Sequence, residues 1–342
     1  MTGIVGHKTP MADLVGSLSS PRLHHAWLFA GDQGIGKATV ARAFARTLLC
    51  CAADPALPRD SLAVAASHRV GRLFDAMTHP DFLLVERLPK DPKLAKEVAR
   101  EDWPADTERA RSITIEQIRA LNPVLSMKPS LSARRVIMID AIDDLERGAA
   151  NALLKSLEEP PQGTLFILIS HAPGRLLPTI RSRCRVLRFH PLSDEEMRIL
   201  LAARQDVAGP DEVEALVRAG GGSPGRALGF AGLDLAAIDA ALERIAHTGD
   251  PANTDRIALA LSLSSRQGQA RYEAFLARVP EFIAGKARSG PVEAMGRVTD
   301  VWARTRELAS SAQHLSLDPQ MTVIGLAGLV ASLAVNSERV KA

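Results

Sequence analysis

"WLFAGDQGIGKATV", residues 27–40, decides the fold. An apolar run enters a glycine turn, and a helical pattern leaves it, with Val40, Phe44 and Leu48 recurring at helical spacing. Gly31, Gly36 and Lys37, with Gly34 between them, match the Gly, four residues, Gly, Lys spacing of a phosphate-binding loop. Glycines let backbone N–H groups turn inward onto phosphates, the helix N-terminus adds positive potential, and Lys37 reaches the outer phosphates. The next position normally carries Ser or Thr, whose hydroxyl holds magnesium, and here it is Ala38. Thr39 has a hydroxyl, but the next helical position is rotated about 100° away. The expectation is a phosphate cradle without its metal clip.

Around this loop, "AWLFA" (26–30), "FLLV" (82–85), "VIMI" (136–139) and "LFILI" (165–169) are short continuous apolar runs, the pattern of strands covered on both faces. "RVLRF" (185–189) alternates more and is expected nearer an edge. Ala150, Leu153, Leu154 and Leu157 in "AANALLKSLEEPP" mark a helix that Pro160 and Pro161 stop. Strands alternating with helices predict a parallel α/β sheet over residues 1–190. After "FHPLSDEEM" the strand signals fade. Residues 191–235, containing "GGGSPGRAL", are expected to form a small helical unit, and residues 236–342 a second one of amphipathic helices, one of them opening at Asp318 and Pro319. The stretch 87–111 interleaves both charge signs with three prolines and is expected to be a solvated loop or frayed helix.

Composition excludes several classes. A chain of 342 residues with 46% hydrophobic and 24% charged residues is ordinary for a soluble globular protein of two or three domains. The net charge of +3 does not by itself argue for nucleic acid, and 4% aromatic residues argue against a base-stacking surface. Three cysteines are too few for a disulfide scaffold. The N-terminus lacks a signal-peptide pattern. The apolar run 321–335 falls short of the roughly 20 residues of a membrane span and is expected to be a buried helix. A cytoplasmic protein with no membrane partner is the expectation.

Two further stretches bear on chemistry. In "RRVIMIDAIDDL", Asp140 ends a strand, where a magnesium-associated carboxylate would sit. Asp143 and Asp144 fall further along the turn and are expected to cap or solvate the following helix. In "PTIRSRCRVLRF", Arg181, Arg183, Arg185 and Arg188 crowd together, and strand alternation would put Arg183 and Arg185 on one face. Such a cluster reads as a solvated basic edge. It also reads as the source of an arginine supplied in trans to a neighbour's γ-phosphate, worth roughly 10³ to 10⁵ in rate where such residues act.

"LHHAWLFAGDQGIGKAT", "THPDFLLVERL", "AANALLKSLEEPP", "PTIRSRCRVLRFHPL" and "GGSPGRAL" follow one another over about residues 4–230. In that order they resemble the delta-prime subunits of bacterial DNA polymerase III clamp loaders, in the AAA+ superfamily. The resemblance implies a P-loop (AAA+) α/β domain, a small helical lid and an all-α C-terminal collar used for oligomerisation. It implies that Arg183, in "SRC", is an arginine finger acting on the adjacent motor subunit. Gly31, Gly34, Gly36, Lys37, Thr39, Asp140 and Arg226 would form a vestigial nucleotide site, with Ser170 and His171 at the position of a polar sensor. Hydrolysing members of this class usually carry Glu after the strand-end Asp, where this chain has Ala141.

The implied function is therefore a non-hydrolysing clamp-loader subunit. Its partners would be gamma/tau-type motor subunits, the clamp-opening delta subunit and, through the assembly, the sliding clamp and primed DNA. No cofactor is required on this reading, although weak ATP or ADP binding is compatible with the cradle. Relatives with a four-cysteine zinc module place it where this chain has only Cys50, Cys51, His68 and His79. Adjacent cysteines and distant histidines do not suit structural zinc. No metal is expected, and apolar packing around Leu73 and Phe74 is expected to fill the space. Two alternatives remain: an ATP-hydrolysing AAA+ motor, and a subunit that senses nucleotide without hydrolysing it.

Overall fold

The computed structural model describes residues 4–20, 22–104, 107–207, 209–264, 268–315 and 317–334. The outermost residues of the first and last expected domains, 1–3 and 335–342, lie outside these. The chain divides into two compact units, Met1–Leu192 and Ser193–Ala342.

In the first unit the strands Ala26–Ala30 (β1), Phe82–Glu86 (β2), Arg135–Asp140 (β3), Thr164–Ser170 (β4) and Arg185–Arg188 (β5) form a parallel sheet in the order β2-β3-β4-β1-β5. The helices are Lys8–Leu18 (α1), Lys37–Ala53 (α2), Arg69–Asp75 (α3), Pro92–Glu97 (α4), Ile115–Arg119 (α5), Asn122–Leu125 (α6), Arg147–Glu158 (α7) and Pro178–Arg181 (α8). All four continuous apolar runs are strands; β1, β3 and β4 are buried on both faces, while in β2 Phe82 and Val85 are buried and Leu83 and Leu84 half-buried. Trp27, Phe29, Met138, Ile167 and Ile169 pack on one side with Val40, Phe44 and Leu48 of α2. Leu28, Ile137, Ile139, Phe166 and Leu168 pack on the other with Leu153 and Leu157 of α7. Among the described residues β5 pairs with β1 alone, is exposed at all but Leu187, and lies at one edge of the sheet, as its alternation predicts; β2 is the other edge. Ala30 aligns with Ser170, and Glu86 aligns with Asp140, so the carboxyl ends of β1 to β4 share one rim. Ligands of open α/β sheets bind at that rim.

Most described residues of 87–111 are exposed, as expected of a solvated segment, but ion pairs tie part of it to the sheet. Arg100 pairs with Glu86, and the Arg109 guanidinium lies 3.7 Å from the same carboxylate and 4.7 Å from the centre of the Trp103 ring. Pro89 and Arg109 form an antiparallel bridge, while α4 supplies the short helix. The cause is Glu86: a largely buried carboxylate at a strand end draws both arginines back to the rim.

The second unit is helical: Asp194–Ala202 (α9), Gly209–Gly220 (α10), Pro224–Leu228 (α11), Leu235–Thr248 (α12), Thr254–Leu263 (α13), Gln269–Ser289 (α14), Met295–Leu315 (α15) and Pro319–Ala331 (α16). Its interior includes Ile238, Leu242, Phe275, Val279, Val323 and Leu326. Arg278 meets Asp239 in a buried two-pronged ion pair of 2.7 and 3.0 Å, joining α14 to α12. Asp318 caps α16 by accepting from the Met321 N–H, as expected, and the helix buries Val323, Leu326, Ala327 and Val330. Among the described residues no helix is long and apolar enough to cross a membrane.

Candidate nucleotide cradle and arginine turn

The glycine loop connects β1 to α2, the context its spacing requires. Gly31, Gly34 and Gly36 have φ of +155°, +78° and +102°. A Cβ at Gly31 would sit 2.5 Å from the Phe189 carbonyl oxygen, so the residue is forced by close approach as well as by its backbone. His7 Nε2 lies 2.7 Å from the Ile35 carbonyl oxygen, and its ring meets Phe189 edge-on, bracing the loop from α1's entry.

Lys37 is 3% exposed. Its Nζ donates to the carbonyl oxygens of Gly31, at 2.6 Å, and of Asp32. Burial pulls its pKa down to about 8, against the opposing attraction of Asp140, Asp32 and Asp143. Ala38 packs its methyl against the core, while Thr39 is exposed on α2. The positive-φ glycines and the buried ammonium fit a phosphate. The hydroxyl that normally helps hold magnesium is absent, since a methyl group stands at Ala38.

At the end of β3, burial raises the Asp140 pKa, as does Glu86, while His171, Lys37 and Arg100 oppose the shift. Ala141 is buried and offers no water-orienting group. Asp143 does not cap the following helix. Its carboxylate accepts from Ser170 Oγ at 2.9 Å and from the N–H groups of His171 at 2.6 Å and Ala172 at 3.2 Å, clamping the exit of β4. Asp144 lies 3.1 Å from the Arg87 guanidinium rather than serving as a cap. Both aspartates precede Glu146, which occupies the N-cap position of α7. Ser170 is thus committed to Asp143. Burial keeps His171 below its ordinary pKa, and its Nδ1 is buried with no hydrogen-bond partner among the described residues.

The arginine cluster is not a single strand face. Arg181 ends α8, and Arg183 lies in the turn before β5, so the expected alternation with Arg185 does not apply to it. Pro178 starts a short helix whose terminal turn, with the Arg183 N–H on the Ile180 carbonyl, leaves Arg183 in a turn before the strand begins. The Arg183 guanidinium donates from Nη1 to the Thr179 carbonyl at 2.8 Å, and its Nη2 lies 2.8 Å from Glu158 Oε1 in an ion pair. Arg185 covers Trp27 at 4.6 Å and lies 3.5 Å from Asp13. Arg181 and Arg188 are exposed and form no ion pair among the described residues. Cys184 is spent on packing, its Sγ donating to the Ile180 carbonyl and its pKa pushed up to about 12 by burial. Arg226, on α11, meets Glu281 of the same helical unit at 3.5 Å.

In the segment considered for zinc, Cys50 and Cys51 are both buried on α2, and burial pushes Cys50 up to about 11. His68 Nδ1 accepts from the Gly71 N–H, and His79 Nδ1 from that of Asp81. Phe74 packs on Phe82 at 4.4 Å, with Leu73 half-buried beside it in sequence. The sequence reading missed Arg46, which is 4% exposed and ties this segment down through Asp75 and the Val64 and Ala65 carbonyls. Glu158, His7 and Glu86 were missed as well. Each owes its role to a partner at least 14 residues away in the chain.

A family model described as "DNA polymerase III, delta subunit" matches residues 6–193. DNA polymerase III subunit delta' of Pseudomonas aeruginosa is 36% identical over 205 residues, covering 58% of this chain and 53% of that protein. The subunit delta' of Escherichia coli is 31% identical over 63% of this chain and 57% of its own length. DNA polymerase III subunit gamma of Buchnera aphidicola is 30% identical over 57% of this chain and 46% of its own. The chain spans about half the length of the curated relatives it matches.

Proposed function

This chain belongs to the DNA polymerase III delta-subunit family, and on that premise we propose that it is a delta-prime-type clamp-loader subunit that hydrolyses no ATP itself and lends Arg183 to a neighbour's ATP site. One observation carries the reading. The cradle's buried cation, Lys37, is spent on the carbonyls of its own loop, and alanine stands at both positions hydrolysis needs, Ala38 and Ala141. Chemistry then falls to a partner, and a partly exposed guanidinium in a surface turn suits transition-state charge across a subunit boundary. The partners would be gamma/tau-type motor subunits and a clamp-opening delta subunit, with the sliding clamp and primed DNA engaged through the assembly. Residues 191–235 would be the lid and 236–342 the collar.

The test is a reconstitution. ATPase turnover is measured for this chain alone, for motor partners alone, and for the assembly with wild type, Arg183→Ala or Arg181→Ala. Expected are no turnover alone, stimulation in the assembly with clamp and primed DNA, and loss of most of that gain with Arg183→Ala only. A wild-type rate from Arg183→Ala would remove the finger assignment, and loss with Arg181→Ala instead would transfer it to the exposed neighbour.

A second reading, a subunit that senses nucleotide without hydrolysis, is favoured by the intact positive-φ glycines and buried Lys37. Equilibrium binding of a labelled ATP analogue to the full chain separates the two. Clear magnesium-linked affinity supports sensing; weak, metal-indifferent binding supports the vestigial cradle.

A further inference from the structure

The geometry points to Glu158 as a tether for Arg183: its carboxylate holds the guanidinium on this chain's own surface, and a phosphate must displace it before the arginine can act elsewhere. The inference rests on the reading that Arg183 acts in trans, and it adds a control built into the same chain.

Both terminal nitrogens of Arg183 have partners on this chain: Nη1 donates to the Thr179 carbonyl, and Nη2 faces Glu158 Oε1 in an ion pair, each at 2.8 Å. A guanidinium recognises phosphate through a fork of two parallel N–H groups. Either fork that includes Nη2 shares that nitrogen with Glu158. Carboxylate and phosphate therefore compete for the same group, and a carboxylate beside the bound phosphate would repel it.

The position of Glu158 supports this assignment. It is the last residue of α7, where the negative end of the helix dipole disfavours a carboxylate. Helix stability therefore does not account for it, and its ion-pair partner is Arg183. The side chains of Arg183 and Glu158 are 34% and 49% exposed. So open a pair is weak, and its loss is expected to change an equilibrium by no more than about fivefold. It is strong enough to bias the arginine and weak enough for a multiply charged phosphate to break. Arg181, nearby on α8, makes no ion pair among the described residues and serves as an internal reference.

The test uses two readouts on the full chain carrying Glu158→Gln, an isosteric change at an exposed site, with its melting temperature checked against wild type. In the isolated protein, phenylglyoxal modification of individual arginines is followed by peptide mass spectrometry. Arg183 is expected to react about two- to fivefold faster in the variant, with Arg181 unchanged. In the reconstituted assembly, Glu158→Gln is expected to raise stimulated ATPase turnover by up to about fivefold, and to have no effect when Arg183→Ala is also present. An unchanged modification rate overturns the tether. So does a fall in turnover, which would make Glu158 a support for the arginine's productive orientation. If modification accelerates while Arg183→Ala leaves turnover intact, the tether stands and the in-trans reading fails.

Discussion

Lys37 opens α2 just after β1, Arg183 lies in the turn just before its neighbour β5, and the two differ in how deeply each holds its charge. Lys37 is 3% exposed and turned onto its own loop's carbonyls. Arg183 is about a third exposed, held among the described residues by a partly open carboxylate and one carbonyl. A buried cation must be satisfied by its own chain, because leaving it unpaired costs several kcal/mol. An exposed guanidinium stays hydrated and can exchange partners at little cost. On the proposed reading, the cradle serves the fold while the turn before β5 keeps a charge for a neighbouring subunit.

The sharpest way to break this contrast is Arg183→Ala in the reconstituted assembly. We expect a loss of stimulated turnover of about 10² or more, with no significant change in the variant's melting temperature, since an exposed pair contributes little. Gly31→Ala should do the reverse. Its Cβ would collide with the Phe189 carbonyl at a positive φ, so denaturant unfolding should report a loss of about 2–4 kcal/mol.

A third test titrates the cradle. The folded-state pKa of Lys37, about 8, is depressed from 10.5, so the native state binds fewer protons than the unfolded state between those values. Stability from this group therefore rises with pH across that window and is flat below it. Unfolding free energy of wild type minus that of Lys37→Met should increase by about 1–3 kcal/mol between pH 7.5 and 10.5. A flat difference would mean that the ammonium is hydrated after all. The smallest effect is expected at Arg185→Ala, which removes the contact over Trp27 and the 3.5 Å approach to Asp13, for about 0.5–1 kcal/mol by the same denaturation measurement.

How much of this was legible depends on how local the cause is. The strands and the glycine loop were readable because apolar runs, turn glycines and helical periodicity act within a few residues. The helix stop before Pro160 and the cap at Asp318 were readable for the same reason. Asp143 was expected to serve the helix beside it and instead holds the exit of β4, 27 residues onward. Arg183 was expected to alternate along a strand that begins two residues later. Residues 87–111 looked solvated because their charges balance along the chain, yet Glu86 gathers Arg100 and Arg109 at the rim.

Sequence alone determined the order of the strands along the chain, the phosphate-cradle spacing, and the alanines at positions 38 and 141. These are properties of identity and short spacing, which the chain carries whether folded or not. Only the tertiary structure decided where each charge is spent: Lys37 inward on its own loop, Asp143 across to β4, Arg183 onto Glu158. A polar side chain leaving water takes the partner that the packed backbone brings within hydrogen-bond reach, and chain distance has no part in that choice.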